Sequence, residues 1–155
     1  MIRGTVVIEG SPRGMVKQFR QLVKEGLVNL IKNYWHREIL PGHFKPEAKQ
    51  RYKYAPRSIK YLRYKAKRRP MAGPLEFSGK SKRQLTRTIR VSGTSKKATG
   101  AMTAPGYFWM TPKGHPNKAE EATKVTKKET LAMAEMLNDR VTKRLNEIKD
   151  RQVIR

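Results

Sequence analysis

Residues 15–34 read "MVKQFRQLVKEGLVNLIKNY", and their apolar spacing decides the fold class. Val16, Phe19, Val23, Leu27, Leu30 and Tyr34 recur three and four positions apart, the period that lines one face of a helix, so the stretch predicts a long helix with a core-facing stripe. Pro41-Gly42 is expected to stop it. A second stripe of the same period, Leu131, Ala134, Leu137, Val141, Leu145 and Ile148, predicts another long helix near the end of the chain. It is opened by "TKKE", in which Thr126 and Glu129 have capping-box spacing.

Between and before these helices the period changes. "RGTVVIEG" at 3–10 is rich in β-branched residues and closed by Gly10-Ser11-Pro12, which reads as a strand and a turn. "HFKPEAKQRYKYAPRS" (43–58) carries two prolines and reads as irregular chain with one helical turn. "SIKYLRYKAKRR" reads as a short helix capped by Ser58 and ended by Pro70. A further short helix through Leu85 should pass into a strand, "TRTIRVSGT", with a turn at Lys96-Lys97. "KATGAMTAPGYFWMTP" is expected to give two more short strands, broken at Pro105-Gly106.

The sum is an α+β fold in which a small antiparallel sheet packs against two long helices, with short basic helices in the central segment. At 155 residues the chain is expected to form one domain, 1–155. Its parts are a strand plus long helix (1–40), a basic loop-helix segment (41–72), a short helix and small sheet (73–112) and a C-terminal helix (119–150). There is no internal repeat or low-complexity tract.

Thirty-six Lys+Arg stand against twelve Asp+Glu, a net charge of +24. Such an excess favours polyanions or acidic protein surfaces and repels copies of the chain. Eleven of the cations and one acid, Glu47, fall between Lys45 and Arg69, whereas 119–150 carries seven acids and seven bases. The interleaving of cations and tyrosines in "RYKYAPRSIKYLRYKAKRR" has the ingredients of phosphate and base contact. The candidate polyanion or partner contacts are Arg51, Lys53, Arg57, Lys60, Arg63, Lys65, Lys67, Arg68, Arg69, Lys80, Lys82 and Arg83. No zinc finger or RNA-recognition motif accompanies them, so nucleic-acid binding here would be electrostatic and salt-sensitive.

Catalytic readings find little support. Gly79-Lys80-Ser81 has the last letters of a P-loop, but the glycine that motif requires at 74 is a proline. The two aspartates, Asp139 and Asp150, lie in a helical segment and not at the end of an apolar strand where Mg²⁺ would be held. Ser78 as N-cap and Gly79 entering a helix account for the same letters. The chain has no cysteine, which removes disulfides, thiolate metal sites and cysteine catalysis. His36, His43 and His115 lack metal-ligand spacing and read as surface or capping residues. No carboxylate pair or nucleophile elbow stands out, so no catalytic residue, metal or cofactor is assigned. The apolar runs are too short to span a bilayer and no signal peptide opens the chain, which points to a soluble protein used without export.

"ILPGHF", "RYKYAPRS" with the tyrosines that follow, and "PLEFSG" leading into a basic helix and strand occur in that order over residues 35–110. This order resembles the neck and tail-completion proteins of tailed bacteriophages, minor virion proteins that join head to tail. In that family a proline-leucine turn of the "PLEFSG" type opens a helix and holds no nucleotide. The resemblance implies a non-enzymatic α+β subunit of a homo-oligomeric ring around the DNA channel. Other neck and tail proteins would be its neighbours, with phosphate-backbone contact to DNA and no membrane partner. It would reside in the virion, and in the host cytoplasm during assembly. The alternative is a small basic, non-sequence-specific nucleic-acid-binding protein.

Overall fold

The stretch 15–34 is helical throughout, and the helix stops at Gly42, where Pro41-Gly42 was expected to stop it. A computed structural model describes residues 12–111 and 115–153. In chain order they form α1 (Pro12–Asn29), a π-helical continuation (Leu30–Ile39), α2 (Leu40–Gly42), α3 (Ala48–Arg51), α4 (Ile59–Arg68) and α5 (Lys80–Arg87). A hairpin, β1 (Ile89–Gly93) and β2 (Ala98–Met102), then leads to α6 (Gly106–Trp109), α7 (Lys118–Thr123) and α8 (Lys127–Val153). This is the expected α+β class. The strand expected at 3–10 lies outside the described residues.

In the π-helical segment the backbone N–H of Leu40 bonds to Trp35 O, five residues back. The wider turn shifts which residues face inward, since one extra residue rotates everything after it by roughly 100° on an α-helical wheel. The buried face therefore leaves the predicted stripe and moves to His36, Ile39 and Leu40. Pro41-Gly42 ends the helix as expected: both lie in the last turn, α2, and the chain leaves the helix at His43.

The core sits beyond the long helices. Leu40, Phe44, Ala48, Tyr52, Tyr54, Leu75, Leu85, Phe108 and Ala122 form one buried cluster drawn from α2, α3, α5, α6, α7 and the loops between them. Neither apolar stripe supplies a residue to it. Val16 and Phe19 at one end of α1 are exposed, as are Leu131 and Leu145 on α8. The two long helices meet instead at Gly26, where a Cβ would lie 2.6 Å from Leu137 Cδ1. The hairpin pairs antiparallel from Ile89 opposite Met102 to Gly93 opposite Ala98. It rests on the long N-terminal helix through small residues, with Gly93 beside Val28 and Gly100 beside Ile31.

Several local expectations change. The helix after "PLEFSG" is capped by Gly79, in the left-handed region (φ 78°), and not by Ser78. The second strand expected in "KATGAMTAPGYFWMTP" is the helical turn α6: Pro105 holds the preceding φ, Phe108 N–H bonds to Pro105 O, and Phe108 turns inward. Residues 119–150 are two helices and not one. Asn117 caps α7 through its side chain, the chain extends at Lys124, and Thr126 starts α8 with the capping box intact: Glu129 N–H donates to Thr126 Oγ1, and Thr126 N–H to Glu129 Oε2.

Gly73 leaves no room for a side chain, since a Cβ there would sit 1.8 Å from the carbonyl oxygen of Phe44, which is backbone and cannot swing away. Gly73→Ala is expected to destabilise by roughly 3 kcal/mol, about 6–12 °C in Tm for a chain of this size. Gly106→Ala, with open space around it, should leave Tm nearly unchanged. Thermal melts followed by circular dichroism check both.

Candidate functional site

Residues 43–57 contain only the single turn of α3, so they need anchors from elsewhere. Two carboxylates from the C-terminal third supply them. Glu121, in α7, accepts hydrogen bonds from Ala55 N–H (3.0 Å) and Arg57 Nη1 (3.2 Å) and is ion-paired with Arg57 Nη2. Glu129, at the start of α8, accepts from Tyr52 Oη at 2.8 Å and Arg51 Nη2 at 2.6 Å, besides its own Thr126. Their side chains are 4 % exposed. The helix caps explain how both reach the same segment: Asn117 and Thr126 each fix the first turn of a short or long helix, and each first turn then presents its glutamate toward 51–57.

An aromatic stack fills the space between the anchors. The rings of His43 and Tyr52 lie 3.8 Å apart and 15° from parallel, with Tyr54 about 6 Å from each. His43 Nδ1 and the Tyr54 hydroxyl are 2.5 Å apart. Lys53, between the tyrosines, takes a left-handed φ of 50° where glycine is the usual occupant, and Tyr54 N–H closes back on Lys49 O at 3.1 Å, as at a Schellman helix end.

The electrostatics follow from burial. Desolvation lowers the His43 pKa to about 4, against the opposing pull of the Glu129 carboxylate, so the imidazole is neutral. Burial, and after it the bond to Glu129, raises Tyr52 to about 12; burial likewise raises Tyr54. For Glu129 burial alone would raise the pKa, but bonds from Thr126 and Tyr52 and the Arg51 charge outweigh it and the carboxyl is held below its usual value. The acceptors of both glutamates are thus taken by structural donors, and the cluster acts as a clamp.

The candidate contacts divide in two. Lys53, Lys60, Arg63, Lys67, Arg68, Arg69, Lys80, Lys82 and Arg83 are exposed, and Lys60, Arg63 and Lys67 share the outer face of α4. Lys82 lies 3.8 Å from Glu76, and Arg68 lies over the Tyr64 ring. Arg57 and Lys65 do not belong to this surface: Arg57 is turned inward to Glu121, and Lys65 is buried with its Nζ bonded to Gly73 O. Burial lowers the Lys65 pKa. Arg51 is half-exposed but committed to Glu129.

The histidines also differ from expectation. His36 is buried with Nε2 2.8 Å from Leu85 O, and His43 is buried; His115 is at the surface. Ser81, the serine of the P-loop-like letters, is buried with Oγ 3.1 Å from the Tyr107 hydroxyl. Among the described residues no three metal-ligating side chains come together, and no helix is long and apolar enough to cross a membrane. Sequence reasoning missed Glu121, and saw Glu129 only as a local cap. Comparison with protein-family models, with curated proteins and with solved structures found no match for this chain.

The neutral His43 gives a pH signature. Its folded pKa, about 4, lies below the ordinary value of 6.5, so the unfolded chain binds more protons between those limits and stability falls as pH drops through them. The loss on going from pH 7 to pH 4.5 is on the order of 2 kcal/mol. His43→Phe keeps the stack and should flatten the denaturation midpoint across this window. The separate loss expected from Glu129, whose carboxyl is held below its usual value and so gives up stability only as the pH falls beneath the ordinary carboxylate range, should persist.

Proposed function

We propose that this chain is a structural subunit of a tailed-phage virion, a neck or tail-completion protein that joins head to tail as one member of a ring around the DNA channel. The observation that carries the reading is the position of the stretches that bear the resemblance. "ILPGHF" contributes Ile39, Leu40, His43 and Phe44 to the interior, "RYKYAPRS" contributes Tyr52 and Tyr54, and "PLEFSG" contributes Leu75. Three segments separated in sequence that carry the resemblance thus supply residues to one interior, which supports reading them as parts of a single subunit architecture.

The same reading makes the protein non-catalytic. Its buried polar groups hold segments together, and its charge lies on the outside, where neighbouring neck and tail proteins or DNA would meet it. The subunit would then reside in the virion neck, and in the host cytoplasm before assembly.

A small basic nucleic-acid-binding protein is the second reading, favoured by the row of Lys60, Arg63 and Lys67 on the outer face of α4. Light scattering on nuclease-treated protein, at moderate and high salt and with a short DNA duplex, separates the two. The virion reading expects a discrete multimer indifferent to the duplex, or a monomer that ignores it and binds isolated heads or tails. A monomer that coats the duplex and leaves it with salt, at a log–log slope near 0.9 for each phosphate neutralised, supports the second reading instead.

A further inference from the structure

We propose that α4 and the strap that follows it, residues 69–74, form a docking groove for an acidic segment of a neighbouring protein that also carries aliphatic side chains. From Ile59 to Arg68 every residue is exposed except Lys65. A helix of ten residues is too short to be stable alone in water. Ser58 caps its first turn, and its attachment runs through Lys65 Nζ on Gly73 O and the Tyr64 ring stacked 5.7 Å from Phe77.

Between α4 and the strap lies a groove of about 400 Å³. Leu62, Tyr61, Pro70 and Met71 line it, Lys49 and Arg69 flank it, and no Asp or Glu is among its lining residues. Met71 is 94 % exposed and Ile59 69 %, while Leu62 is 43 % exposed. Exposed aliphatic groups gathered on one short helix and its strap are more than solubility explains, and they gain stability when covered.

The charge selects the occupant. Between Pro56 and Leu75 the chain carries seven cations and no acid, and five of the seven, Lys60, Arg63, Lys67, Arg68 and Arg69, are exposed, so an acidic segment fits; this chain has none to offer from a second copy, since even 119–150 balances seven acids with seven bases. A nucleic acid would use the cations but not the aliphatic groups. The more exposed of the two α4 tyrosines, Tyr64, is already stacked with Phe77 and carries the Arg68 guanidinium 5.0 Å from its centroid. A protein segment that places carboxylates against Lys49 and Arg69 and a leucine-like side chain between Leu62 and Met71 uses both properties of the groove. The inference rests on the virion reading for the presence of a protein neighbour.

The test is fluorescence anisotropy with the full chain near physiological ionic strength, using three labelled probes: a Glu/Leu amphipathic decapeptide, a decaglutamate and a ten-base oligothymidylate. The Glu/Leu peptide is expected to bind tightest. L62S/M71S, which alters exposed side chains only, should weaken it by roughly tenfold and leave decaglutamate binding unchanged. V16S/F19S, on the exposed end of α1, should change neither. Tighter binding of the oligothymidylate, equal binding of both peptides, no peptide binding, or indifference to L62S/M71S overturns the proposal. If particles assemble while the peptide fails, the groove alone is rejected; if the light-scattering and head-or-tail binding results fail while the peptide binds, the virion reading falls and the groove remains.

Discussion

Two buried carboxylates, Glu121 and Glu129, are the constraint on which the rest of this fold depends. Burying a carboxylate is costly unless its charge is matched and its lone pairs are taken. Each glutamate here meets that condition with one arginine and neutral donors: Arg57 and Ala55 N–H for Glu121, Arg51, Tyr52 and Thr126 for Glu129. Apart from Thr126, the donors come from a segment with almost no secondary structure of its own. The carboxylates therefore decide where 51–57 runs, and with it where Tyr52 and Tyr54 enter the core and where α4 leaves the body. Removing one partner would strand a buried charge, a change typically costing several kcal/mol.

Much of the local structure was legible in the sequence because it follows local rules. Ser58 caps α4, Thr126 and Glu129 form the capping box, and the alternation around "TRTIRVSGT" gives β1. Periodicity identified both long helices but overstated their role in the core. Spacing shows which face of a helix is apolar; it does not show how far the body extends to cover that face, and Val16, Phe19 and Leu131 lie beyond it. The π-helical turn added a rotation that no α-helical period contains. The cationic character of the candidate surface was readable from counting charges. That Arg57 and Lys65 turn inward was not, since Arg57 meets Glu121 sixty-four positions away and Lys65 meets a backbone carbonyl. The burial of His43 depends in the same way on a tertiary stack.

The scarcity of acids shapes the surface. Of twelve acidic residues, Glu121 and Glu129 are spent inside, and the basic stretch around α4 has no acid of its own between Pro56 and Leu75. The result is a body closed by internal ion pairs that projects a positively charged, partly apolar helix. The groups that hold the fold together are thus distinct from the charged and apolar groups left exposed on α4.

The most direct measurement of the central claim is hydrogen–deuterium exchange on the native protein and on the isosteric variants Glu121→Gln and Glu129→Gln. If the carboxylates hold the central segment, exchange rises together in 48–57 and in the first turns of α7 and α8, while α5 and the β1–β2 hairpin keep their protection. Unchanged protection at 48–57 in both variants, or loss confined to the substituted helix, would contradict the account.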